Sequence, residues 1–140
     1  MPAWGGLATW LNNFYLGAEN TFGAQNDDRI KGLNTDDAIW AREGNDKFYA
    51  DDVVMQENNE EPRVGKATNR AYEEAFVNGL TAFNGAEVQA LAVNENDGTA
   101  MIQWWMAFSH KDYGDIDRTQ VCVQRWKDGQ IVHERFFYGS

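Results

Sequence analysis

Alternation of apolar and polar positions is strongest in the last third of the chain, between Asp97 and Tyr138. It predicts three consecutive strands, over 100–109, 119–126 and 131–138. Asp97-Gly98 opens the first, and the turns Asp112-Tyr113-Gly114-Asp115 and Asp128-Gly129 separate them. Asp-Gly accepts the positive φ angles of tight hairpins, so these strands should be antiparallel neighbours. Their aromatics, among them Trp104, Trp105, Phe108, Trp126, Phe136, Phe137 and Tyr138, call for cover on at least one sheet face.

Upstream the period changes. Leu7, Leu11, Phe14, Ala18 and Phe22 recur at helical spacing, a polar loop follows over 23–34, and Thr35 can cap a second helix with Asp36 and Asp37 in its first turn. Gly44-Asn45 ends that helix. Val53-Val54-Met55 reads as a short strand, and Glu57 to Pro62 as an acidic turn. A third helix is predicted over 66–78, with Ala67, Ala71, Tyr72, Ala75 and Phe76 on one face and Gly79 at its end. The main sheet begins over 87–94. Helices followed by strands make an α+β domain, and residues 1–140 read as a single one. A strongly curved, mostly antiparallel sheet wrapped around helices leaves a cone whose open end suits a small molecule.

Charge removes several function classes. The formal net charge is −10, from 22 acidic against 12 basic residues, and no basic stripe interrupts it, which argues against nucleic acid. No Lys or Arg precedes Arg29 and no apolar run is long enough for a bilayer, so neither a signal peptide nor a membrane span is expected. Cys122 is the only cysteine, which excludes an internal disulfide and fits a cytoplasmic protein. Two histidines and one cysteine, far apart, make no metal-ligand spacing.

Three segments carry a family resemblance: Phe48-Tyr49-Ala50-Asp51-Asp52-Val53-Val54-Met55, Pro62-Arg63-Val64-Gly65-Lys66, and Trp126-Lys127-Asp128-Gly129-Gln130-Ile131-Val132-His133-Glu134-Arg135. They resemble the SnoaL-like branch of the nuclear transport factor 2-like superfamily, which includes ketosteroid isomerases, polyketide cyclases, dehydratases and binding domains without catalysis. The resemblance covers roughly Thr35 to Tyr138. It implies an α+β cone with a pocket between helices and sheet, no cofactor, and a homodimer through the outer sheet face.

The same resemblance nominates the acids. Counted from Ala50-Asp51-Asp52, Glu57 falls where steroid isomerases of the superfamily place their base; counted back from Pro62-Arg63-Val64-Gly65, the position goes to Gln56. A carboxylate against an apolar wall gains proton affinity, which suits a general base. Glu57 equally reads as part of a solvated acidic turn. Cys122 stands where such isomerases place a protonated acid, so a true steroid isomerase is disfavoured. Glu134 is the second candidate: alternation puts Val132, Glu134, Phe136 and Tyr138 inside the cone and His133 outside, as in cyclases with an acid on a late strand. Its alternative is an ion pair with Arg125 or Arg135, and the reversed register would put His133 and Arg135 inside. His110 with Asp112 or a helix acid could form the proton-removing pair of a dehydratase.

Expected pocket walls are Tyr72 and Phe76 on the third helix, and Met55, Gln103, Trp105, Gln124, Trp126, Phe136 and Tyr138 on the sheet. Flat apolar area with sparse amides and hydroxyls suits a planar or polycyclic apolar ligand bearing carbonyl or hydroxyl groups. Two functions follow: cofactor-free acid/base isomerisation or cyclisation of a carbonyl compound, with Glu57 or Glu134 as base and Tyr72 or Tyr138 as donor, or ligand binding and dimerisation without catalysis. Trp104, Met106, Phe108 and Phe137 are expected on the outer face, where an apolar surface would serve a dimer.

Overall fold

Three closures decide the sheet. Asp128 and Gly129 take positive φ angles (52° and 78°), the backbone of a two-residue hairpin turn. Gly98 (φ 72°) lies so close to the next strand that a Cβ would meet the Trp126 carbonyl, while its own carbonyl accepts the Trp126 N–H at 2.7 Å. Gly114 (φ 75°) ends the remaining turn. The computed structural model describes residues 48–139. The helices expected over 7–22 and from Thr35 lie outside the described residues.

The elements run β1 (Tyr49–Glu57), β2 (Arg63–Val64), α1 (Lys66–Asn78), β3 (Leu80–Asn94), β4 (Thr99–His110), β5 (Gly114–Lys127) and β6 (Gln130–Phe137). They form one six-stranded sheet in the order β2-β1-β6-β5-β4-β3. β1 runs parallel to β6, and every other pair is antiparallel. The three hairpin strands therefore pair as the turns required. β3 is longer than its periodicity suggested, because it starts directly after Gly79 and absorbs irregularities at Leu80/Ala82, Phe83/Gly85 and Val88/Ala90. Such breaks blur a period-two pattern.

The inner sheet face holds the core: Val53, Met55, Ile102, Phe108, Trp126 and Ile131 are among its most buried members, packed with Trp104 and Met106. Here the sequence expectation for β4 is reversed. Trp104, Met106 and Phe108, assigned outward, are 5%, 7% and 2% exposed; Gln103 and Trp105, assigned to the pocket, lie on the opposite face. There Gln103 donates to Gln89 (3.0 Å) and Trp105 to Asp117 (2.8 Å). The cause is cross-strand register. Ala100 pairs with Gln124, Ile102 with Cys122 and Trp104 with Gln120, and residues directly opposite share a face. A one-residue error inverts a whole strand. Of the four residues expected on the apolar outer face, only Phe137 stays there, 40% exposed and joined by Met101 at 48%.

Two smaller corrections have local causes. β6 breaks register between Arg125 and Trp126, so Ile131 rather than Val132 enters the core opposite Trp126. On α1, Ala67, Ala71 and Ala75 are not buried, while Asn69 and Val77 are, at 2% exposure. Asn69 wins that place because its amide is fully used: Nδ2 donates to the carbonyls of Arg63 (3.1 Å) and Gly65 (2.8 Å), and Oδ1 accepts from Arg63 Nε (3.0 Å).

Candidate active site

Between α1 and the inner sheet face lies a cavity of about 600 Å³. Glu57 and Glu134 both line it, as do Tyr72, Phe76, Phe136 and Tyr138. Each acid arrives by alternation: Met55 and Glu57 on β1 lie opposite Glu134 and Phe136 on β6, so the pair of strands turns both carboxylates inward. Gln56 points away, its Nε2 donating to the Glu60 carbonyl at 2.9 Å. Of the two counts, the one that gives Glu57 rather than Gln56 names the side chain that lines the cavity.

Glu134 is 1% exposed. Its Oε1 accepts from Tyr49 OH (2.9 Å), and its Oε2 accepts from Cys122 Sγ (2.9 Å) and Gln124 Nε2 (2.7 Å). Gln124 is aligned in turn by Trp126 Nε1, which donates to its Oε1 at 2.9 Å. Arg125 and Arg135 take no part. Burial raises the proton affinity of Glu134 above that of an ordinary glutamate, and the three donors pull the other way. Cys122 is held as a thiol, its pKa well above normal through burial and then the Glu134 charge. It serves the acid and does not face the ligand space as a separate proton donor.

Glu57 has a different setting. Arg63 Nη2 sits 2.9 Å from its Oε2, and Tyr138 OH donates to Oε1 at 3.2 Å. The Arg63 guanidinium also lies 3.6 Å from the Tyr72 ring centroid. Burial first, and the Glu57 charge second, raise the pKa of both Tyr72 and Tyr138, so both remain neutral donors. The turn after Glu57 is clamped to the end of β6: Asn58 (φ 47°) donates its N–H to the Phe136 carbonyl (2.8 Å), and Asn58 Oδ1 accepts the Tyr138 N–H (2.9 Å). Arg135 holds the same turn through Asn58 O (2.9 Å) and Asn59 Oδ1 (2.6 Å).

Other expected site residues go elsewhere. Met55 and Trp126 are core residues, and Gln124 stands behind Glu134. His110, expected at a rim, is 5% exposed and locks the end of α1. Its Nδ1 accepts the Asp112 N–H (3.1 Å), so Nε2 carries the proton and donates to the Phe76 carbonyl (3.1 Å). The ring stacks between Phe76 and Tyr113, and a Cβ at Gly79 would collide with it. With both nitrogens committed to backbone, His110 cannot serve as the base of a dehydratase. His133 is half-buried on the outer face, kept neutral by burial and then by Arg125 and Arg135.

Sequence reasoning missed Tyr49, Trp104, Met106, Phe108, Arg118 and Gln120, all of which line the cavity. A usable signal existed. Counting back from Gln124 in steps of two gives Cys122, Gln120 and Arg118 on the inner face, and register then carries Trp104 and Met106 with them. Among the described residues no group of three or more His, Cys, Asp or Glu could hold a metal ion, and no helix is long and apolar enough to cross a membrane.

Solved structures share this architecture. A Mesorhizobium loti protein described as a SnoaL-like polyketide cyclase is 23% identical, with 71% of this chain and 86% of that one aligned at a TM-score of 0.62. A Jannaschia sp. CCS1 protein with the same description is 13% identical, covering 95% of this chain and 84% of that one (TM-score 0.66). A Catenulispora acidiphila protein with a ketosteroid isomerase-like fold, in complex with trimethylamine, is 9% identical over 79% of each chain (TM-score 0.58). At these identities the likeness shows the fold alone, which is the α+β nuclear transport factor 2-like fold. No curated protein matches the sequence. Residues 23–138 match the model of the SnoaL-like domain, and the chain belongs to the SnoaL-like family.

Proposed function

We propose that this protein binds a planar, largely apolar carbonyl compound in the cavity and moves a proton on it without a cofactor, with Glu134 as the general base and acid. One observation carries the reading: a carboxylate 1% exposed, in the wall of an aromatic cavity, with its proton affinity raised by burial and its orientation fixed by three donors. Glu134 takes a proton from the carbon beside the carbonyl, the C–H electron pair moves into the carbonyl group, and the same acid returns the proton to another atom of the enolate. Tyr49 OH, already on Oε1, keeps the charge on the carboxylate localised and its partner oxygen oriented. Glu57 belongs to a second element of the site, where Tyr138 and Tyr72 offer neutral hydroxyls.

The rival is ligand binding without catalysis. It is favoured by the full engagement of Glu57 with Arg63 and Tyr138 and by the three donors already on Glu134. Deuterium uptake at the α-carbon of 1-tetralone in D₂O, followed by NMR, separates the two. Catalysis predicts exchange above the buffer rate that falls at least about 100-fold in Glu134→Gln. Exchange at the buffer rate, or retained in that variant, would establish the rival.

A further inference from the structure

The inner face of β5 carries a charged side chain that the acid/base reading does not use. Arg118 lines the cavity, its guanidinium 3.9 Å from the Tyr138 ring centroid and 5.9 Å from that of Phe108. Its Nε is buried and has no hydrogen-bond partner, and among the described residues no carboxylate forms an ion pair with it. Glu57 is committed to Arg63, and Glu134 to its three donors. Two positions along, Gln120 is 5% exposed and also lines the cavity, and its Oε1 is buried without a donor. Residues two apart on a strand share a face about 6.6 Å apart.

Unpaired buried donors and acceptors cost stability, and ring stacking offsets that cost for a guanidinium without satisfying its N–H groups. Stacking on Tyr138 leaves Arg118 Nε without an acceptor, and Met106 and Trp104, the β4 partners of Arg118 and Gln120, hydrogen-bond neither Arg118 Nε nor Gln120 Oε1. Groups held at such cost in the wall of a cavity suit a ligand carrying the partners that the described residues do not supply. An arginine without a counter-ion takes a carboxylate, by parallel N–H···O bonds. An amide oxygen beside it takes a hydroxyl or N–H.

We infer that Arg118 and Gln120 form a docking subsite for a hydroxylated aromatic carboxylate, the carboxylate on Arg118 and the hydroxyl on Gln120. The inference rests on the cavity being a ligand site and does not require Glu134 to act as a base. In the reaction proposed above, this subsite would set which end of the compound lies toward Glu134. Cys122 supplies the scale: it touches Glu134 and stands two residues beyond Gln120 on the same face.

Calorimetric titration of the full chain with 6-hydroxy-2-naphthoate, 2-naphthoate and 2-naphthol tests it. The hydroxynaphthoate should bind roughly tenfold more tightly than the naphthoate, and the naphthol most weakly. Arg118→Met should weaken both carboxylates by about tenfold or more and leave 2-naphthol unchanged. Gln120→Leu should abolish only the advantage of the hydroxynaphthoate. Without ligand, Arg118→Met should melt no lower than the parent, since it removes an unpaired charge; Arg118→Lys, which keeps the charge, should retain part of the carboxylate preference. Equal naphthoate affinity in parent and Arg118→Met, no binding of any of the three, or a fall in melting temperature showing a structural arginine would overturn the inference. The tetralone experiment is independent, because that ketone has no carboxylate: exchange without naphthoate binding sinks the subsite alone, and the reverse sinks the base alone.

Discussion

Glu134 and Glu57, two of the glutamates that line the cavity, are held in opposite ways. Glu134 is surrounded by neutral donors, a phenol, a thiol and an amide, in a place closed to solvent. Glu57 has a guanidinium 2.9 Å away and a side chain 13% exposed. A carboxylate held only by neutral donors in a buried wall gains proton affinity from its burial. Environment therefore gives two identical side chains that share one space different partners and different burial.

The contrast is sharpest in rate. Glu134→Gln should reduce α-proton exchange by about 10²–10⁴-fold, whereas Glu57→Gln should stay within about tenfold of the parent. NMR-detected exchange on 1-tetralone measures both, and equal losses would erase the distinction. Stability should show the reverse order. Arg63→Met leaves Glu57 without its cation and Asn69 Oδ1 without its donor, a loss of about 3 kcal/mol in urea unfolding, with a smaller loss in Glu57→Gln. Cys122→Ala removes one donor from Glu134, so the acid limb of the pH–rate profile should move upward, with stability lower by about 1 kcal/mol.

Smallest are the effects on stability against pH, and their signs differ. Glu134 has a folded pKa above its ordinary 4.5, so its contribution is complete below that pH and is lost as pH rises through the folded value. His133 has a folded pKa below its ordinary 6.5, so its contribution is complete above 6.5 and is lost as pH falls through the folded value. Urea midpoints across this range should lose the first slope in Glu134→Gln and the second in His133→Gln. A Glu134→Gln variant that kept the first slope would assign it to another carboxylate.

Much of the molecule is legible in its amino-acid sequence. The turns at Gly98, Gly114 and Asp128-Gly129, the strands they join, the helix over 66–78 and the inward placing of Glu134 and Phe136 are all local properties: glycine where φ is positive, and a period of two along β6. Tyr72, Phe76 and Tyr138 also line the cavity as their positions suggested.

What failed was nonlocal. Trp104 and Trp105 are adjacent aromatics of the same type, and only the pairing of β4 with β5 decides which one faces inward. His110 resembles a rim base because its neighbours are polar in sequence; its stacking between Phe76 and Tyr113 arises only when the end of α1 meets the end of β4. Chain order thus determined where strands begin, turn and end, because those choices depend on a residue's own φ and on its nearest neighbours. Register, burial and hydrogen-bond partners were decided by the tertiary structure, since each depends on which distant side chain arrives opposite, and a shift of one residue exchanges every partner.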